Sequence, residues 1–169
     1  MGNAKKRKTA DESLLDAVRQ GDFDAVRYYI EDKSANPDAR DPRGRTALHI
    51  ATERGFSTIV NTLLELGARV DATDHQKITP LMIAAERGFD TVLACLLQNG
   101  ADIMLQNAKG QNAFHIGGEK PETKDRLKNA WLAALEKRPL DLDTATHDAV
   151  LVRKPIALKP AHKPAAPPQ

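Results

Sequence analysis

The chain has 169 residues, 25 Lys plus Arg against 23 Asp plus Glu, one cysteine and seven aromatics. That length suits one domain with spare chain, and a lone cysteine excludes an intramolecular disulfide framework, which favours a reducing compartment. No apolar run reaches the ~20 residues of a membrane-spanning helix, and none follows the basic N-terminus as a secretory signal requires.

Residues 1–10 hold Lys5, Lys6, Arg7 and Lys8 and no acid. They read as a disordered basic arm, an import signal in a eukaryotic source or a merely solvated segment. Met1-Gly2-Asn3 begins like a myristoylation site, but Lys6 stands where that motif wants Ser or Thr, which argues against acylation.

The next stretch repeats. Residues 41–73 and 74–106 align without gaps and are identical at 14 of 33 positions, among them Thr46/Thr79, Ala51/Ala84, Gly55/Gly88, Leu63/Leu96, Leu64/Leu97 and Gly67/Gly100. A period of 33 residues indicates a solenoid of one repeated unit. Each unit reads helix, turn, helix, loop. Thr46 and Thr79 suit N-caps, and Pro80 suits the first helical position, where its missing N–H costs nothing. The first helix ends at Gly55 or Gly88. The second carries Ile59, Val60, Leu63 and Leu64, or Val92, Leu93, Leu96 and Leu97, as its apolar face, and Gly67 or Gly100 suits the left-handed position after it.

The flanking units are degenerate. Leu14, Ala17, Val18, Gly21, Val26, Tyr29 and Ile30 keep the frame at an offset of 34, implying one extra residue before Ser34. The last unit starts in phase at Asn107, then places Gly117-Gly118 where Ala84-Ala85 stood and Pro121 where Gly88 stood. Its first helix is expected to be short or frayed, the glycines being tolerated in a terminal unit. Residues 122–137 recover a helix with Leu127, Ala130, Trp131, Ala134 and Leu135 on one face, as a solenoid cap would.

Residues 151–169 carry Arg153, Lys154, Lys159 and Lys163 without an acid, and six of the ten prolines lie beyond residue 138. The tail from 139 reads as mostly disordered; residues 149–152 could pack on the last unit or serve as a short docking motif, and their shortness favours packing or disorder. The near-neutral total is thus a cancellation: two tails of +4 flank a segment of 17 bases and 23 acids, net −6.

The run Gly44-Arg-Thr-Ala-Leu-His49 with Ala51, Gly55, Leu63-Leu64 and Gly67-Ala68 resembles the ankyrin repeat. Thr79-Pro-Leu-Met82 with Ala84-Ala85, Gly88, Leu96-Leu97 and Gly100-Ala101-Asp102 resembles it again. The resemblance implies an all-α solenoid of about four helix-turn-helix units, near 11–40, 41–73, 74–106 and 107–138. It also implies that His49 and His115 each tie one unit to the next by a hydrogen bond. At roughly 10 Å per unit their rings lie ~20 Å apart, too far to share a metal.

No phosphate-binding glycine loop, His-Glu-x-x-His or cysteine pair is present, so neither catalysis nor a metal or cofactor is expected. Cys95 reads as a packing residue, with no helix start or fixed cation beside it. The resemblance implies binding of another protein on a concave face. It places Pro42, Arg43, Arg45, His75, Gln76, Lys77, Ile78, Ala108, Lys109 and Gln111 at loop tips, and Glu53, Arg54, Glu86 and Arg87 on the first helices. Ile78, at an exposed tip where Arg45 and Gln111 are its counterparts, would suit an interface anchor or be a lone surface apolar residue. Six cations face two acids in this set, which favours an acidic partner segment. A monomeric cytoplasmic adaptor, scaffold or inhibitor, nuclear in a eukaryotic source, is the expectation. The alternative is nucleic-acid association through the basic tails, though neither tail offers an aromatic for base stacking.

Overall fold

A computed structural model describes residues 8–117 and 121–137. Lys5, Lys6, Arg7, Gly118 and the tail from 138, with residues 140–152, lie outside the described residues. The described residues up to 136 belong to one compact unit.

Eight helices follow one another among the described residues: α1 (Ala10–Gln20), α2 (Phe23–Glu31), α3 (Ala47–Arg54), α4 (Ser57–Glu65), α5 (Pro80–Arg87), α6 (Asp90–Gln98), α7 (Ala113–Gly117) and α8 (Pro121–Lys137). The first helix of each unit packs on the next to make one layer, α1–α3–α5–α7; α2, α4 and α6 make the second. The chain is an all-α repeat solenoid. An isolated antiparallel bridge between Arg40 and Thr46 closes a hairpin-like tip.

The local chemistry sets each boundary. Thr79 caps α5 by accepting from Met82 N (3.3 Å), and Pro80 opens the helix. Gly55 and Gly88, at φ 75° and 72°, turn the chain left-handed at the ends of α3 and α5, as Gly67 and Gly100 do after α4 and α6. Helices of eight residues, such as α3 and α5, are marginal alone. Burial between layers holds them: Leu48, Leu63, Leu81, Leu93 and Leu96 are fully buried. Truncating any one to Ala costs about 2–5 kcal/mol, the usual range for deleting a core leucine.

The first unit starts earlier than its composition implies. Thr9 and Glu12 form a reciprocal capping box, and Lys8 pairs with Asp16. Residues 8–10 therefore belong to the folded unit and not to a disordered arm. The Thr-x-x-Glu signature was there to read, masked by the run of cations before it. The extra residue sits in the loop after α2. Ala35 N donates to Tyr29 O, six residues back, where Ala68 N reaches Leu63 O, five back.

The last unit departs in two ways. Helix α7 has only five residues, as its glycines imply, yet Gly117 is buried in a tight contact. A Cβ there would meet Thr123 Cγ2 at 3.1 Å and Ala85 Cβ at 3.2 Å. A side chain there would push its neighbours by a few tenths of an ångström, so glycine favours the close approach of α7 to α5 and α8, beyond mere tolerance of a poor helix. On α8, Leu127 is fully buried and Ala130 packs against the core, but Trp131 is 38% exposed and leaves the expected apolar face. The side chains of Ala134 and Leu135 lie outside the described residues.

Polar ties add to the packing. Arg40 Nη1 donates to Gly44 O (2.7 Å) and, across a unit boundary, to Thr73 O (2.6 Å). Asp38 accepts from Arg69 N (2.9 Å) and Asp71 from Asp102 N (3.0 Å), one loop carboxylate at each of the first two junctions.

Candidate partner-binding face

Each tip is organised by one side chain at its start. Asp41 Oδ1 accepts from the amides of Arg43 (2.9 Å) and Arg45 (3.0 Å). Asp74 does the same for Gln76 (2.8 Å) and Ile78 (2.9 Å), and Asn107 for Lys109 (2.9 Å) and Gln111 (3.0 Å). Successive tips are laced together: His75 N donates to Arg43 O (3.3 Å) and Ala108 N to Gln76 O (2.9 Å). The three tips form one row whose backbone is already ordered, so little backbone freedom is left to lose on binding. Sequence reasoning passed over these organisers, although Asp41/Asp74 recur one period apart with Asn107 in phase.

The charges on this face are not all free. Arg45 donates two bonds to Asp41 Oδ2 (3.0 and 2.9 Å) and one to Glu53 Oε2 (2.7 Å). Arg87 joins Glu53 at 3.5 Å, and Arg19 approaches Asp41 at 3.8 Å. A chain of alternating charge thus runs Asp16–Arg19–Asp41–Arg45–Glu53–Arg87 over the first three units. The Asp41 side chain is only 3% exposed. Burial works to raise its pKa, but hydrogen bonds from the Arg45 side chain and the Arg45 and Arg43 amides outweigh it and hold the carboxyl below its ordinary value. Arg45 and Glu53, expected as exposed contact residues, are half-buried members of this chain.

Four expected cations remain available. Arg43, Arg54, Lys77 and Lys109 are exposed and have no ion-pair partner among the described residues. Pro42, His75, Gln76, Ala108 and Gln111 are exposed beside them, and Glu86 and Arg87 stand exposed on α5. Lys5, Lys6 and Arg7 are outside the described residues, and Lys8 is engaged by Asp16.

Ile78 departs from expectation. It is half-buried and packs against the hydrophobic core, so it is not an exposed tip residue. Its carbonyl accepts from His49 Nε2 at 3.0 Å, across the unit boundary. His49 Nδ1 accepts from Thr46 N at 3.1 Å, which assigns the proton to Nε2. Burial pushes the His49 pKa below its ordinary value, and the Ile78 carbonyl works against that shift. His115 differs: it is exposed, and its Nδ1 bonds within its own unit, to Asn112 Oδ1.

Between the tips of the third and fourth units lies a groove of about 640 Å³, with Ile78, Met82, Ala85 and Ile116 as apolar lining and Gln76, Lys109, Gln111 and His115 among the polar. On the opposite layer Cys95 is partly buried, 3.6 Å from Asn61 Oδ1, and burial followed by the nearby Glu65 charge pushes its thiol pKa up. That environment suits packing better than reactivity. Among the described residues no cluster of three His, Cys, Asp or Glu side chains forms a metal site, and no helix is long and apolar enough to cross a membrane.

A family model described as ankyrin repeats (3 copies) matches residues 14–116, more than half of the chain. A stretch of 61 residues is 46% identical to BCL-6 corepressor-like protein 1 of Homo sapiens and 44% identical to the protein of that name in Mus musculus. Each match covers 36% of this chain and 3% of the relative, so the chain spans a small fraction of the length of the curated relatives it matches.

Proposed function

We propose that this chain, which belongs to the ankyrin repeat family, is a non-catalytic adaptor, scaffold or inhibitor that holds another protein on the face built from its tips and first helices. Ankyrin repeats are generally protein–protein interaction modules, and the family is typically non-catalytic. The observation that carries the reading is the difference among the cations of that face. Arg45 is bound up in pairs to Asp41 and Glu53, while Arg43, Arg54, Lys77 and Lys109 project without ion-pair partners among the described residues. Part-buried ion pairs organise the scaffold, and the exposed cations are left to attract an acidic segment of a partner.

Affinity capture of partners by the full chain, followed by titration of the captured protein, tests this. Charge reversal of Arg43 and Arg54 together should weaken binding and flatten its salt dependence without lowering the melting temperature. Unchanged affinity and unchanged salt dependence would overturn the reading. Nucleic-acid association is weaker on these grounds, since Lys8, one of the eight tail cations, is already neutralised by Asp16.

A further inference from the structure

We propose that the groove between the third and fourth units is a side-chain pocket that seats one aliphatic residue of an extended acidic segment from the partner protein. The inference rests on the partner-binding reading above and adds where the anchor goes and what it is.

Two sequence changes from one repeat to the next open this groove. In the second unit, Arg45 crosses to Asp41 and Glu53, so the space between tip and first helix is closed by ion pairs. The third unit has Ile78 in that position. Its side chain is short and apolar and forms no such bridge, so it lines the groove instead. The second unit also places His49 so that its Nε2 donates to the Ile78 carbonyl and draws the next tip in. The third unit has Met82 there, whose side chain has no N–H to donate; it lies buried with Ala85 beneath the groove, and the partly exposed apolar lining is Ile78 and Ile116. Side chains of Arg45 and His49 close the space between units two and three; between units three and four the tips share the backbone bond from Ala108 N to Gln76 O, and a cleft of mixed polar and apolar lining remains.

The charge around the cleft selects the rest of the occupant. Lys109 lines it, and Lys77 stands next to Gln76 and Ile78 on its rim; neither has an ion-pair partner among the described residues. Glu86 is the acid in the wall. Arg43 at the preceding tip and Arg54 at the end of α3 are further exposed cations of the second unit. An aliphatic side chain flanked by carboxylates satisfies both the apolar lining and the rim cations. A basic segment would meet like charge on a low-dielectric wall.

The test uses the full chain and labelled twelve-residue peptides with a central Leu flanked by Glu, a central Ala flanked by Glu, and a central Leu flanked by Lys. Fluorescence anisotropy should show the Leu/Glu peptide binding, with roughly tenfold or greater weakening for the other two, the size expected for loss of a buried anchor or of charge complementarity. Ile78→Arg should weaken the Leu/Glu peptide about tenfold although it adds a cation, because it rebuilds the closure that Arg45 makes in the second unit. Ile78→Ala provides a second variant that keeps the groove open but removes lining, and should lose several-fold; melting curves on both check that the fold persists. Equal affinity for the Leu and Ala peptides, no binding by either, or full retention by both Ile78 variants overturns the pocket. If reversal of Arg43 and Arg54 abolishes capture of the partner while the Ile78 variants retain it, the pocket fails and the wider reading stands. If peptide binding depends on Ile78 but partner capture is untouched by those reversals, the wider reading fails by itself.

Discussion

Arg45 Nη1 lies 2.7 Å from Glu53 Oε2 while the same guanidinium holds Asp41 through Nε and Nη2. One side chain therefore joins the start of a tip to the first helix of its own unit, and Arg87 extends the link to the next unit through Glu53. Most of the holding falls on Asp41, which is buried and also accepts two backbone amides. Asp41→Ala should cost about 2–3 kcal/mol, since charge-assisted bonds are lost and buried donors are left without partners. Asp41→Asn should cost about 1 kcal/mol, because Asn107 already shows that an amide oxygen can organise a tip while only the Arg45 pairing is lost. Urea unfolding of the two variants checks this; equal destabilisation would mean that the backbone bonds contribute nothing beyond the ion pair.

His49 makes stability sensitive to acid. Its folded pKa lies below the ordinary value of about 6.5, chiefly through burial. The unfolded chain therefore takes up the proton first. The contribution is fully present above pH 6.5 and is lost as pH falls toward and through the folded pKa, at no more than about 1.4 kcal/mol per pH unit. The corresponding loss from Asp41, whose pKa is lowered, comes only below its ordinary 3.8, and Asp71, raised by burial, acts in the opposite sense just above that value. His49→Gln keeps an acceptor for Thr46 N and a donor for Ile78 O but cannot titrate. Unfolding free energies measured from pH 7 to 5 should fall for the wild type and stay nearly level for the variant; parallel curves would remove His49 as the cause.

The repeat, its helices and the ends of those helices were legible because they depend on neighbours in sequence. Thr79, Pro80, Gly88 and Gly100 announce one unit by themselves. The free and engaged cations of the face were not legible. Arg45 and Arg43 sit two residues apart in one tip, and what separates them is the approach of Glu53, eight residues on from Arg45, across a folded turn. The burial of Ile78 escaped notice for the same reason: its apolar character was plain, but the core beneath it is assembled by packing between units. Gly117 read as slack because helix propensity is local, whereas the crowding at its missing Cβ comes from Ala85, one unit earlier, and from Thr123 on the next helix.

The tip glycine position offers a test of backbone strain. Gly44 and Gly110 adopt φ 78° and 74°, and Lys77 at the same place in the third unit is held at φ 58°. A left-handed L-residue costs about 1–2 kcal/mol, against about 0.5–1 kcal/mol for the extra freedom of glycine in the unfolded chain. Lys77→Gly should therefore stabilise the domain by about 0.5–1 kcal/mol. Gly44→Ala should destabilise it by more, since a Cβ there would sit 2.4 Å from His75 Cδ2 in addition to the strain. The next tip has Ala108 where His75 stands, which explains how a side chain at Lys77 fits at all. Thermal melting of both variants decides it, and a stabilising Gly44→Ala would sink the account.

Thr52 is fully buried on α3, and its hydroxyl has no hydrogen-bond partner among the described residues. The same position one unit later is Ala85, also fully buried, so the site works without a polar atom. Leaving a buried hydroxyl unpaired costs about 1–3 kcal/mol relative to an apolar group of the same shape. Thr52→Val, which keeps the volume and removes the hydroxyl, should raise stability by about 1 kcal/mol. Thr52→Ser makes the opposite change, keeping the unpaired hydroxyl and deleting the packed methyl, and should lower stability by about 1 kcal/mol. Chemical denaturation of the pair separates the contributions of methyl and hydroxyl. A destabilised valine variant would show that the hydroxyl is satisfied in solution, and the position would then be one where α3 differs from α5 in hydration as well as in sequence.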